Sequence, residues 1–167
     1  VAVQTASRFA RPHAPTRLVV AVETSWHMRT AGRWEATRRA LINLAEHLGE
    51  GDRVTLIGFA ESANVLAQNA TGAELAKLLA SDQLEMTGGS TDYVEAVEAA
   101  VELARAARDI PRQRAVFVVA NRKRFSQAAL ASKQALAELE EHETRWYALC
   151  VAPTEHDDRR AEQNKAG

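Results

Sequence analysis

LVVAVETSWHM, residues Leu18–Met28, joins five apolar residues to an acid, two hydroxyl residues, a tryptophan and a histidine. A short, continuous apolar run suits a parallel strand covered on both faces. The polar residues that follow stand where open α/β sheets bind ligands, outside the carboxyl ends of their strands. Glu23, Ser25 and His27 occupy alternate positions. That spacing leads to the expectation that three side chains converge on one point.

Downstream, Trp34, Thr37, Leu41, Leu44 and Leu48 step by three and four, as on one face of an amphipathic helix. Gly49 and Gly51 are placed to end it. Val54–Phe59 reads as a second strand, and Ala63–Gln68 as a short third strand reversed through "AESA". Glu74–Leu79 reads as a brief helix. "MTGGSTDY", Met86–Tyr93, is a glycine turn followed by helix-start signals, with Ser90 or Thr91 as cap and Asp92 and Glu95 suited to the positive helix end. The helix is expected to run to about Arg108 on an apolar stripe of Val94, Val97 and Val101. "AVFVV", Ala115–Val119, is the most apolar strand. An alanine-rich helix is expected from Ser126 to Glu140, and "RWYALCV", Arg145–Val151, as a fifth strand.

Upstream, Val1–Phe9 alternates loosely, as an edge strand or the tail of a preceding β-domain would. Arg11–Pro15 carries two prolines and reads as a linker. The expected organisation is an extension over 1–15, one α/β domain over 16–152 and a charged helix or tail over 153–167. Strands alternating with helices predict a doubly wound, Rossmann-like and mostly parallel sheet, with helices on both faces and one short antiparallel edge strand. Three loops then meet at one rim: Glu23–Met28, Gly88–Asp92 and Asn121–Phe125.

The chain of 167 residues is long enough for one domain with a real core. Its net charge of −1 gives no reason to expect nucleic acid or an anionic membrane as partner. The single cysteine, Cys150, cannot form an internal disulfide, which fits a reducing compartment. It lies late in an apolar strand and reads as a small core residue. No apolar run is long enough to cross a bilayer, and no signal peptide is visible. The chain starts at Val1, so localisation signals can lie outside it and the compartment is left open.

From about Thr16 to Val151 these loops, in this order, resemble a von Willebrand factor type A domain. That family ends its first strand in Asp-x-Ser-x-Ser, supplies a threonine from the second loop, and ends its fourth strand in an aspartate. Together these hold a divalent ion that accepts a carboxylate from a binding partner. On that resemblance Glu23, Ser25, His27, Thr91 and Asn121 occupy the metal positions. Ser25 and Thr91 match the pattern, whereas Glu23, His27 and Asn121 depart from it. "GDRVTLIGFAESANVL" (Gly51–Leu66) and the helix after "GGSTD" resemble the bacterial branch.

The departures predict a degenerate site. Mg2+ wants oxygen ligands in tight octahedral geometry. The extra methylene of Glu23 moves its carboxylate by on the order of 1.5 Å. Asn121 replaces a charge with a neutral carbonyl, and the nitrogen of His27 is a poor ligand for Mg2+. No resident cofactor is therefore expected. Arg122, Lys123 and Arg124 follow the fourth strand directly, on the rim that carries His27 and Arg29. A guanidinium grips a carboxylate through two parallel hydrogen bonds. These residues allow three arrangements: a grip on an acidic partner group, an Arg122–Glu23 pair that closes the site, or solvated loop charges.

Other chemistry is poorly supplied. Zinc needs three or four ligands, and His27 has Glu23 and Asp92 as companions at best. Ser25 lacks the Gly-x-Ser-x-Gly elbow of a nucleophile. "TGGST" lacks the lysine of a phosphate-binding P-loop. Trp26 is placed either as an anchor for a partner or as core beneath the loop. The expectation is a non-enzymatic protein-interaction module. Its working rim comprises Trp26, His27, Arg29, Thr91, Arg122 and Arg124, takes an acidic group of a protein partner, and needs no metal. The runner-up is a small-anion or nucleotide-binding α/β domain.

Overall fold

A computed structural model describes residues 15–81, 84, 86, 88–106, 113–120, 132–141 and 144–151. Several expectations fall outside those residues: the strand and linker before Pro15, the loop Asn121–Phe125, the first turns of the alanine-rich helix, and the charged tail.

The Leu18 run forms the central strand, β1 (Arg17–Glu23). It pairs in parallel with β2 (Arg53–Phe59) on one side and β4 (Gln113–Ala120) on the other. The outer strands are β3 (Ala63–Ala70), antiparallel to β2, and β5 (Trp146–Cys150), parallel to β4. The order is β3-β2-β1-β4-β5. The sheet is thus mostly parallel with one antiparallel edge, as its sequence pattern requires. β1 has neighbours reached by connections in opposite directions, so its carboxyl end lies at a topological switch point, the usual position of a binding crevice.

Alternate residues of β1 serve two cores. Val19 and Ala21 join Ile57 and Phe59 beneath α3 (Tyr93–Ala106) and α4 (Lys133–Glu141). Val20 and Val22 join Val54 and Leu56 beneath α1 (Arg33–His47) and α2 (Gly72–Ala80). Burial on both faces explains why the strand is continuously apolar from Leu18 to Val22, between Arg17 at its start and Glu23 at its end. None of the described helices is long and apolar enough to cross a membrane.

Local chemistry fixes the ends of these elements. Asp52 is buried and accepts hydrogen bonds from the backbone N–H groups of Gly49 (2.8 Å) and Thr16 (2.7 Å). It therefore ties the exit of α1 to the entrance of β1. α2 opens with a capping box: the Thr71 hydroxyl accepts from the Glu74 N–H, and the Glu74 carboxylate accepts from Thr71. The Arg38 Nε donates to the Leu79 carbonyl at 2.6 Å and ties α1 to α2. The segment before α1 forms a 3-10 helix over Trp26–Gly32, where the sequence pattern suggested loop. Gly32, at φ 63°, separates it from α1.

Two outcomes follow. A Cβ at Gly72 would collide with the Ala45 carbonyl oxygen, whereas one at Gly89 would meet nothing within 4 Å. In urea denaturation Gly72→Ala should therefore cost about 1–3 kcal/mol, and Gly89→Ala should stay within roughly 0.5 kcal/mol of the parent. The second outcome concerns pH. The Thr71 backbone and hydroxyl donors hold the Glu74 carboxyl below its usual range. Its stabilising contribution is fully present above the unfolded carboxylate value and is lost as pH falls through the lower folded value. The stability gap between the parent and Glu74→Gln should close over that acidic window and stay constant above it.

Candidate functional site

The loops after β1 and β2 are stitched together by main-chain bonds. Thr24 donates to the Phe59 carbonyl through its N–H (2.8 Å) and its hydroxyl (3.2 Å). The Trp26 N–H reaches the Gly88 carbonyl (3.3 Å), and the Asp92 N–H reaches that of Ala60 (2.7 Å). Gly88 adopts φ 74°, and a Cβ there would also press on the Glu61 side chain at 3.1 Å. These bonds bring the first two expected loops into one cluster at the carboxyl ends of β1 and β2.

At its centre is Glu23, 1% exposed. The Ser25 hydroxyl donates to Glu23 Oε1 at 2.5 Å, and the Thr91 hydroxyl donates to the same oxygen at 3.2 Å. The Tyr93 hydroxyl donates to Oε2 at 2.8 Å. A buried carboxylate requires such donors, because removal from water is otherwise very costly. Hydrogen bonds to a charged group are also roughly twice as strong as neutral ones.

Sequence reasoning placed Ser25 and Thr91 beside Glu23 but missed Tyr93. Its ring packs edge-on against Phe59, with centroids 5.6 Å apart. An aromatic hydroxyl in the first turn of a helix, two residues after Thr91, was the available signal. The helix cap is also corrected. Asp92, not Ser90 or Thr91, caps α3, its Oδ1 accepting from the N–H groups of Val94 and Glu95, both at 3.0 Å. Thr91 is thereby left to face the carboxylate.

The alternate spacing of Glu23, Ser25 and His27 does not bring all three together. Ser25 is fully buried, but the chain then enters the 3-10 helix, where Met28 turns inward (2% exposed) and His27 is exposed. The His27 carbonyl accepts from the Thr30 hydroxyl (2.8 Å) and Arg33 Nη1 (3.2 Å). Trp26 is not core: it is 53% exposed, with the Arg29 guanidinium carbon 4.5 Å from its ring centroid. Asn121, Arg122 and Arg124 lie outside the described residues.

The metal implied by the resemblance can be tested against this donor set. Among the described residues, the neutral hydroxyls of Ser25, Thr91 and Tyr93 all donate to the Glu23 carboxylate. His27 does not join them. Among the described residues no group of three or more His, Cys, Asp or Glu side chains is arranged to hold an ion. An octahedral cation needs several oxygens directed at itself, often with more than one negative charge among them. The described residues do not fit that requirement.

Residues 18–124 match the von Willebrand factor type A domain, and the chain belongs to that family. Its fold is similar to that of BatB from Bacteroides thetaiotaomicron, at 20% identity and a TM-score of 0.67 over 81% of this chain and 66% of that one. An aerotolerance-related membrane protein from Bacteroides fragilis gives 19% identity and a TM-score of 0.64 over 81% of this chain and 67% of that one. Proximal thread matrix protein 1 from the mussel byssus gives 13% identity and a TM-score of 0.66 over 82% of this chain and 37% of that one. The chain thus spans about two thirds of the two bacterial proteins and little more than a third of the mussel protein. No curated protein matches by sequence.

The carboxylate cage predicts a coupled energetic unit. Tyr93→Phe removes one donor from a buried charge and should cost about 1–3 kcal/mol in urea denaturation. Glu23→Gln should cost a similar amount. The double variant should lose clearly less than the sum of the two, because one interaction is removed twice.

Proposed function

We propose that this domain is a non-enzymatic protein-interaction module that engages its partner at the loop rim without a bound metal, through an acidic group of the partner. The observation that carries the reading is the Glu23 cage. Protein hydroxyls from Ser25, Thr91 and Tyr93 meet the charge that a family site would turn toward an ion. The ion's usual role, to offer a positive charge to a partner carboxylate, then falls to basic side chains. Arg29 is exposed on the rim, and the sequence supplies Arg122 and Arg124 after the fourth strand. Trp26 and His27 complete the exposed part of the rim, with Thr91 at its inner edge.

Membership of a family of adhesion and interaction domains supports this class of function. Against a serine nucleophile stands the burial of Ser25, whose hydroxyl donates to a carboxylate. Against an anion or nucleotide cradle at "GGST" stands Asp92. Its carboxylate occupies the N-terminus of α3, where an anion would otherwise be held.

Isothermal titration with millimolar Mg2+ or Mn2+ tests the metal-free reading. No saturable heat is expected, and EDTA should leave the melting temperature unchanged, since any ion held by the folded state would raise it by mass action. A saturable heat with a matching rise in melting temperature would refute the reading.

A further inference from the structure

We propose that Trp26 and Arg29 form a preorganised carboxylate clamp, which reads an Asp or Glu flanked by an apolar side chain on an exposed acidic segment of a partner protein. The proposal rests on the metal-free reading above and names the atoms that replace the ion. The two residues are three apart on one 3-10 helix, so they stand one above the other on the same side. The Arg29 guanidinium lies over the indole ring, 4.5 Å from its centroid. Among the described residues Arg29 makes no ion pair.

Their platform is fixed on several sides. Met28 is buried beneath it, the Trp26 N–H is bonded to Gly88, and the Thr30 and Arg33 side chains hold the His27 carbonyl. The contact seats the guanidinium carbon over the indole, and a guanidinium fork grips a carboxylate through two parallel hydrogen bonds. It also restricts Arg29 before binding, so less side-chain freedom is lost when the partner arrives. The indole, 53% exposed, offers apolar surface to the residue beside that carboxylate. The Glu61 side chain beside Gly88 adds negative charge to the same loop cluster, which favours a singly charged carboxylate over a doubly charged phosphate.

The test uses the full chain with 15N-labelled tryptophan. The chain has three tryptophans, and Trp26→Phe assigns the relevant indole signal. The probe is an N-acetylated, C-amidated Leu-Asp-Leu peptide, with Leu-Asn-Leu and inorganic phosphate as comparisons. The Trp26 indole signal should move saturably with the Asp peptide, in the low millimolar range. Arg29→Lys keeps the charge but loses the planar fork and the stack, and should weaken binding about tenfold or more, as should the Asn peptide. Both residues are exposed, so these substitutions leave the core intact. No shift with the Asp peptide, equal binding of the Asn peptide, tighter binding of phosphate, or indifference to Arg29→Lys would each overturn the clamp. Binding abolished by EDTA would instead overturn the metal-free reading beneath it, so the two failures are separable.

Discussion

A carboxylate buried at the end of the central strand must be hydrogen-bonded, and meeting that requirement at Glu23 shapes everything around it. Ser25 is drawn inward, so the chain turns at once into the 3-10 helix that puts Met28 in the core and Trp26, His27 and Arg29 in solvent. Thr91 is drawn to the same oxygen, which leaves the α3 cap to Asp92. Tyr93 reaches the second oxygen and fixes the first turn of α3 against Phe59. One buried charge thus couples β1, β2 and α3 at the rim where sheets of this type bind ligands.

The fold was legible in the sequence because its determinants are periodic. The continuous apolar run of β1, the largely apolar β2 and the three-and-four spacing of α1 and α3 each specify an element without reference to its neighbours. The site was legible only in part. Glu23, Ser25 and Thr91 could be grouped from the order of their loops. Tyr93 carried only the signal of an aromatic hydroxyl two residues after Thr91, because its role depends on the depth at which α3 starts relative to β1. His27 was misplaced for a related reason. Period-two spacing converges on one face only if the backbone stays extended, and here it coils into a 3-10 helix after Ser25. Whether Trp26 was core or surface likewise depended on Met28 taking the inward position.

Relative to the family pattern, the chemistry of the rim is redistributed. Where the pattern directs carboxylates and hydroxyls outward at an ion, Ser25, Thr91 and Tyr93 direct their protons at Glu23. The surface above then presents an indole and a guanidinium. In the proposed function this exchanges a coordination bond for charge-assisted hydrogen bonds. Such bonds weaken with salt, and chelation does not affect them. In that proposal the rim works without an ion supply, on the sheet and loops that the family shares.

The most direct measurement is anomalous scattering from a crystal of the domain grown with excess Mn2+. A Glu23 held by protein hydroxyls should show no anomalous peak at the rim, with Tyr93 still within hydrogen-bond distance of the carboxylate. A manganese peak coordinated by Ser25 and Thr91, with Tyr93 displaced from Glu23, would contradict it.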